Sequence, residues 1–188
     1  QMCIRDSIKD VPYKTLRKIL SDTKKRKDLR KKLKTLEIDK DNPLKGILLI
    51  QMFEKSSLRT RLSFYLAIRQ LGGSALTLRP DELHLSKGGE SLSDTAKILS
   101  TYGDIFVLRT DNEKKLNSFK KFLSIPLING LSPNSHPAQI LSDIFTIEEI
   151  TKKNISKLNI CWIGDSNNVL NSLIEASIKF SFKLNIGC

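Results

Sequence analysis

Residues 46–73 read GILLIQMFEKSSLRTRLSFYLAIRQLGG, and this stretch decides the fold. It opens with a continuous apolar run, GILLIQMF (46–53), which suits a strand buried on both faces of a parallel sheet. A short polar loop follows. From Leu58 to Leu71 the apolar residues recur at helical spacing until Gly72 and Gly73 stop them. The loop places Ser56, Ser57, Arg59, Thr60 and Arg61 where the helix begins. There the first backbone N–H groups lack partners and the helix dipole favours an anion. Ser57 and Thr60 add hydroxyl donors, and Arg59 offers a fork suited to bidentate phosphate binding. The competing reading is an N-cap serine with incidental surface arginines, and the residues alone favour neither.

Downstream the same alternation repeats. Strand SALTLR leads through the loop PDELHLSKGGES (80–91) to helix SLSDTAKILSTY, strand DIFVLR, helix EKKLNSFKKFL, strand IPLING and helix HPAQILSDIFTIEEI (136–150). After the polar TKKNISK come a second apolar strand, LNICWIG, the loop DSNN, helix VLNSLIEASIKF and the strand-like KLNIGC. Strands alternating with helices predict an α/β fold, a doubly wound parallel sheet with helices on both faces. Residues 1–150 make one complete domain on this reading, and residues 151–188 make the start of a second. In the apolar strand of that second part, Cys161 and Trp162 are expected in the core. A lone strand–helix–strand unit leaves edges unpaired, so the parent sequence is expected to continue for about 120–150 residues.

The chain has 188 residues, 39% hydrophobic and 28% charged, ordinary values for a globular protein. Its net charge of +12 invites a nucleic-acid reading. Much of that charge lies in YKTLRKILSDTKKRKDLRKKLK (13–34), where Leu16, Ile19, Leu20, Leu29 and Leu33 predict two amphipathic helices with solvated basic faces. No aromatic side chains are interleaved there to stack on bases, so nucleic acid is not an expected partner. Cys3, Cys161 and Cys188 form no metal-ligand pattern, which fits a reducing compartment. No apolar run approaches the ~20 residues that span a bilayer, and no apolar signal core opens the chain. A cytoplasmic location follows as the expectation. The opening QMCIRDS carries no reading.

Two further segments carry chemistry. HPAQ sets His136 and Gln139 three apart, on one face at a helix start, although a histidine there is often structural. VLRT leaves Arg109 at the C-terminal end of a strand, the edge where open α/β sheets bind ligands. Ser57, Arg59, Thr60, Arg109, His136 and Gln139 thus all map to strand ends or the helix starts beyond them.

These motifs resemble those of the aspartate/ornithine carbamoyltransferases, over essentially all of residues 8–188. FEKSSLRTRLSF resembles their Ser-Thr-Arg-Thr-Arg carbamoyl-phosphate loop, LSDTAKILSTYGDIFVLRT the segment with their second arginine, and INGLSPNSHPAQILSDIFTI their His-Pro-x-Gln helix. WIGDSNNVLNSLIEA resembles the Gly-Asp-x-Asn-Asn segment of the ornithine branch, where aspartate enzymes usually carry a His-Ser-Arg type segment. The resemblance implies carbamoyl transfer from carbamoyl phosphate to the δ-amine of L-ornithine, giving citrulline and phosphate. It implies a homotrimer, with no metal or organic cofactor because the leaving group is already activated.

By the same resemblance Ser57, Leu58, Arg59 and Thr60 hold the phosphate, and Arg109 and His136 bind the carbonyl oxygen. Gln139 orients the carbamoyl NH₂. His84 joins the carbamoyl-phosphate site of a neighbouring subunit, with Lys87 as a weaker candidate. Asn168 grips the amino-acid end of ornithine, or caps its helix, or both. Arg59, Arg109 and His136 are the implied catalytic residues. Leu58 departs from the family's threonine; it loses one hydroxyl, worth about 0.5–1.5 kcal/mol, but keeps a backbone N–H. Alternatives are a carbamoyltransferase for aspartate, putrescine or acylated ornithine, or a non-catalytic remnant that still trimerises. The 188-residue chain itself is expected to bind carbamoyl phosphate weakly and to make no citrulline.

Overall fold

The computed structural model of the chain describes residues 7–80 and 91–188. A basic helix, α1 (Tyr13–Leu29), precedes β1 (Leu48–Phe53), α2 (Leu58–Gln70), β2 (Ser74–Leu78), α3 (Leu92–Tyr102), β3 (Ile105–Arg109), α4 (Glu113–Phe122), β4 (Leu127–Leu131) and α5 (Pro137–Thr151). The chain then runs through β5 (Asn159–Ile163), α6 (Asn168–Phe180) and β6 (Lys183–Gly187). The first four strands form one parallel sheet in the order β2-β1-β3-β4, and β5 and β6 pair in parallel as a second.

The first sheet is covered on both faces, as its apolar runs predict. On one side Ile50, Met52, Phe106 and Leu108 pack with Ala96 and Leu99 of α3 and Leu116 and Phe119 of α4. On the other, Leu49 and Val107 meet Ile68 and Phe64 of α2. Residues 49–52 of β1 are therefore all buried. Local capping sets the helix starts: Ser91 accepts from the Asp94 N–H, Asn112 from the Lys115 N–H, and Asn167 from the N–H groups of Val169 and Leu170. Gly72 ends α2 at φ +92°, and a Cβ there would be strained and would push aside the Asn42 side chain, whose Oδ1 it would approach to 1.4 Å.

Two expectations are corrected. Residues 13–34 make one α-helix with a short 3₁₀ turn (Arg30–Lys32), not two helices. No glycine or proline interrupts residues 13–29, and beyond them Arg30 folds back onto Asp39 and the carbonyls of Lys34, Thr35 and Glu37. Asp39, 8% exposed, is bracketed by Arg26 and Arg30, and Leu29 points to solvent. Cys161, expected in the core, is exposed. Among the described residues the β5–β6 sheet is covered on one face, so β5 alternates: Ile160 and Trp162 turn inward, while Asn159, Cys161 and Ile163 face out.

The remaining core joins distant parts of the chain. Ile8, Val11, Leu16 and Leu20 pack with Ile140 and Ile144 of α5 and with Leu173, Ala176 and Phe180 of α6. Arg17 pairs with Glu148 at 2.8 Å, and Lys27 with Glu149 at 2.6 Å, so α1 is tied to α5 by charge as well as burial. Among the described residues no helix is long and apolar enough to cross a membrane, and no cluster of His, Cys, Asp or Glu could hold a metal ion.

Candidate active site

The C-terminal ends of β1, β3 and β4 and the loops beyond them converge on a cleft of about 290 Å³, lined by Lys55, Arg109, Thr110, Asp111, Leu131, Pro133 and Asn168. Arg109 is its centre. A register shift between Leu108 and Arg109 at the β3–β4 pairing re-aims the last residue of the strand. Its Nη1 donates to Ser57 Oγ at 2.8 Å, which bridges β3 to the start of α2. Ser57 is the N-cap of α2, yet its side chain makes no capping bond; it accepts from Arg109 instead. Ser57 is thus the N-cap by position, as the competing reading has it, with Arg59 and Arg61 exposed beside it, but its hydroxyl serves Arg109 and not the helix end. By helix geometry the N–H groups of Leu58, Arg59 and Thr60 have no intrahelical acceptor.

A half-buried acid braces the loops that carry this pair. Glu54 accepts from the Thr110 hydroxyl and from Lys115 Nζ, and its N–H donates to the Arg109 carbonyl at 3.0 Å. Glu54 and Thr110 thus lash the β1–α2 loop to the β3–α4 loop. At the rim Lys55 and Asp111 pair at 3.2 Å, and that contact lowers the Asp111 carboxyl below its ordinary value.

His136 is the N-cap of α5 and is 8% exposed. Burial first, and then the positive charge of Arg109, push its imidazole below the ordinary histidine value, so the ring is neutral near pH 7. Burial also lowers the Arg109 value, yet a guanidinium stays charged. Among the described residues, Arg109 Nε and His136 Nδ1 are buried in this site with no hydrogen-bond partner. Buried polar atoms are nearly always satisfied, so a ligand with acceptor oxygens is the natural complement.

Ser57, Arg109, His136 and Asn168 are brought to one place. Arg59 and Leu58 are exposed on the first turn of α2, with Leu58 64% exposed, and Thr60 is half-buried. Gln139 stands apart: it is exposed and donates to Asp143 at 2.8 Å along its own helix. Asn168 is the first residue of α6 and not its cap, which is Asn167; its Nδ2 donates to the Ser132 carbonyl at 2.8 Å. His84 and Lys87 lie outside the described residues.

Sequence reasoning passed over Glu54, Thr110, Asn129 and Ser172. Ser172 Oγ accepts from the His136 N–H at 2.8 Å, and Asn129 braces the loop beneath. Asn168, Asn171, Ser172, Glu175 and Lys179 recur at helical spacing as the ordinary polar face of an amphipathic helix, so the sequence does not single out Ser172.

Residues 6–149 match the sequence profile of the aspartate/ornithine carbamoyltransferase family, carbamoyl-P binding domain. Ornithine carbamoyltransferase of Rhizorhabdus wittichii is 41% identical over 173 residues, 92% of this chain and 55% of that protein. The Caulobacter vibrioides enzyme of the same name is 42% identical over 174 residues, 93% of this chain and 55% of its own. The crystal structure of ornithine carbamoyltransferase from Burkholderia thailandensis superposes with a TM-score of 0.86 at 36% identity, covering 97% of this chain and 61% of that one. The chain spans about half the length of the curated relatives it matches. With the four-stranded sheet, the cleft at its carboxyl edge and the profile match over most of its residues, the chain belongs to the aspartate/ornithine carbamoyltransferase family.

Proposed function

We propose that this chain binds carbamoyl phosphate and supplies the donor side of an ornithine carbamoyltransferase, which passes the carbamoyl group to the δ-amine of L-ornithine. The single observation that carries the reading is the pair of unpartnered buried nitrogens, Arg109 Nε and His136 Nδ1, with Arg109 bonded to Ser57 at the start of α2. Residues 1–150 act as the carbamoyl-phosphate-binding domain, and residues 151–188 belong to the ornithine-binding domain.

In this reading Ser57, Arg59, Thr60 and the free N–H groups of α2 take the phosphate, and the helix dipole favours its charge. The neutral δ-amine attacks the carbamoyl carbon. As the C–N bond forms, the carbonyl oxygen becomes an oxyanion held by Arg109 and by a neutral His136 donating one N–H, a kind of contact worth about 3–4 kcal/mol per donor. The C–O bond to phosphate then breaks with its electron pair on the phosphate, which takes the proton the amine releases. Gln139 orients the carbamoyl NH₂ after leaving Asp143, and Asn168 binds the amino-acid end of ornithine. The reading includes a homotrimer in the cytoplasm, a location supported by the free, exposed Cys161 and Cys188.

Calorimetry with carbamoyl phosphate tests it. Each charged hydrogen bond is worth about 1.5–3 kcal/mol, so Arg109→Ala is expected to weaken binding by roughly 10- to 100-fold. Binding that is absent in the parent chain, or unchanged in Arg109→Ala, refutes the proposal. Sedimentation of the chain tests the trimer.

A further inference from the structure

We propose that Ser172 is a positioning residue for His136, setting where the imidazole stands by gripping its backbone. This rests on the carbamoyl-phosphate reading, which gives the ring its task.

His136 has no hydrogen bond through its ring Nδ1, so that atom does not fix its place. The residue precedes the first turn of α5, at φ −135° and ψ 69°, and its N–H lies outside the helical ladder. A buried N–H needs an acceptor. Ser172 Oγ supplies it at 2.8 Å, from a helix 36 residues further along the chain. Ser172 is fully buried, and its Oγ also lies 3.1 Å from Ser135 Oγ. A hydroxyl has two lone pairs and one hydrogen, enough to accept from His136 and share a bond with Ser135.

The grip is part of a longer contact. Asn168 Nδ2 donates to the Ser132 carbonyl at 2.8 Å, and Asn171 Nδ2 to the Asn134 carbonyl at 3.3 Å. These three residues occupy one face of α6, while Leu170, Leu173 and Ala176 on the same helix are buried. From beneath, Asn129 donates to Ser132 Oγ at 3.2 Å and accepts the Leu131 N–H at 2.9 Å. Residues 131–136 are thus held between β4 and α6, and Ser172 is the member that touches His136. Loss of its hydroxyl leaves a buried donor unpaired, and the loop must shift to reach water. A small displacement of a reacting group is enough to lower its effectiveness sharply.

The test uses the whole 188-residue chain. It has two histidines, so the ring resonances can be assigned with His84→Gln and titrated by NMR. Ser172→Ala is expected to move the His136 titration up towards the ordinary histidine range, as the ring gains water, and to raise the dissociation constant for carbamoyl phosphate about tenfold. Ser172→Thr keeps Oγ and should behave as the parent. Leu173→Val, in the neighbouring core position, loosens α6 without touching His136 and serves as the stability control. The proposal is overturned if Ser172→Ala leaves the ring titration unchanged, if the control shifts it equally at a matched unfolding midpoint, or if a folded Ser172→Thr behaves like Ser172→Ala. A parent chain that does not bind carbamoyl phosphate would sink the functional reading alone, because the ring titration in the ligand-free chain still decides the role of Ser172.

Discussion

The two sheets of this protein begin from similar apolar runs and end in different environments. LLIQMF of β1 lies between helices on both faces, and its four central residues are buried. NICWI of β5 is covered on one face, and every second residue meets solvent, with Ile163 86% exposed. What separates them is coverage, a property of the neighbours and not of the strand. An apolar run reports that a strand can be buried twice over; the helices decide whether it is.

The largest test of that contrast is a truncation in each sheet. Phe106, fully buried in β3 with its ring centroid 5.3 Å from that of Phe119 at a tilt of 48°, should cost about 3–5 kcal/mol as Phe106→Ala. Ile163→Ala in β5 should stay within about 0.5 kcal/mol. Urea unfolding followed by circular dichroism reads both, and equal losses would break the comparison. The caps sharpen it from the other side. Asn112 and Asn167 cap α4 and α6 in the two regions by the same local bonds, so each →Ala variant should lose about 1 kcal/mol whatever the sheet beneath it.

A smaller effect is expected at the junction of the regions. His136 is held below its ordinary value of about 6.5 in the folded chain. Between the folded and unfolded values the unfolded state binds the extra proton, so stability rises with pH there. The contribution is fully present above pH 6.5 and is lost as pH falls towards the folded value. The urea midpoint should therefore drop more between pH 7 and pH 5.5 in the parent than in His136→Gln. The Asp41 and Asp111 carboxyls, lowered by Arg26 and Lys55, act in a more acid window. The smallest effect belongs to Cys161→Ser, expected within about 0.5 kcal/mol, with the thiol of the parent open to Ellman's reagent in the native state.

The strand and helix order was legible because each apolar run and each glycine stop acts locally. Residues 46–73 fold as their pattern implies. The extent of α1 was not legible, because its end depends on Arg30 reaching Asp39 across a turn that no periodicity encodes. In the site, Ser57, Arg109, His136 and Asn168 were readable as strand-end and helix-start residues. Glu54 and Ser172 were not, since their roles arise from partners 56 and 36 residues away. Gln139 shows the converse: its helix position was read correctly, but its rotamer answers to Asp143.

The packing of α1 also sets a clock. Leu16 and Leu20 share a core with residues of α5 and α6, and Ser7 bonds Glu175, 168 residues later. A ribosome adding about 5–20 residues per second takes roughly 8–30 s to cover that interval. Within that time α1 waits for Ile140 and Ile144 of α5 and then for α6, with its basic face in solvent. The sheet of β1 to β4 is synthesised within the same interval, so α1 docks after elements that follow it in the chain.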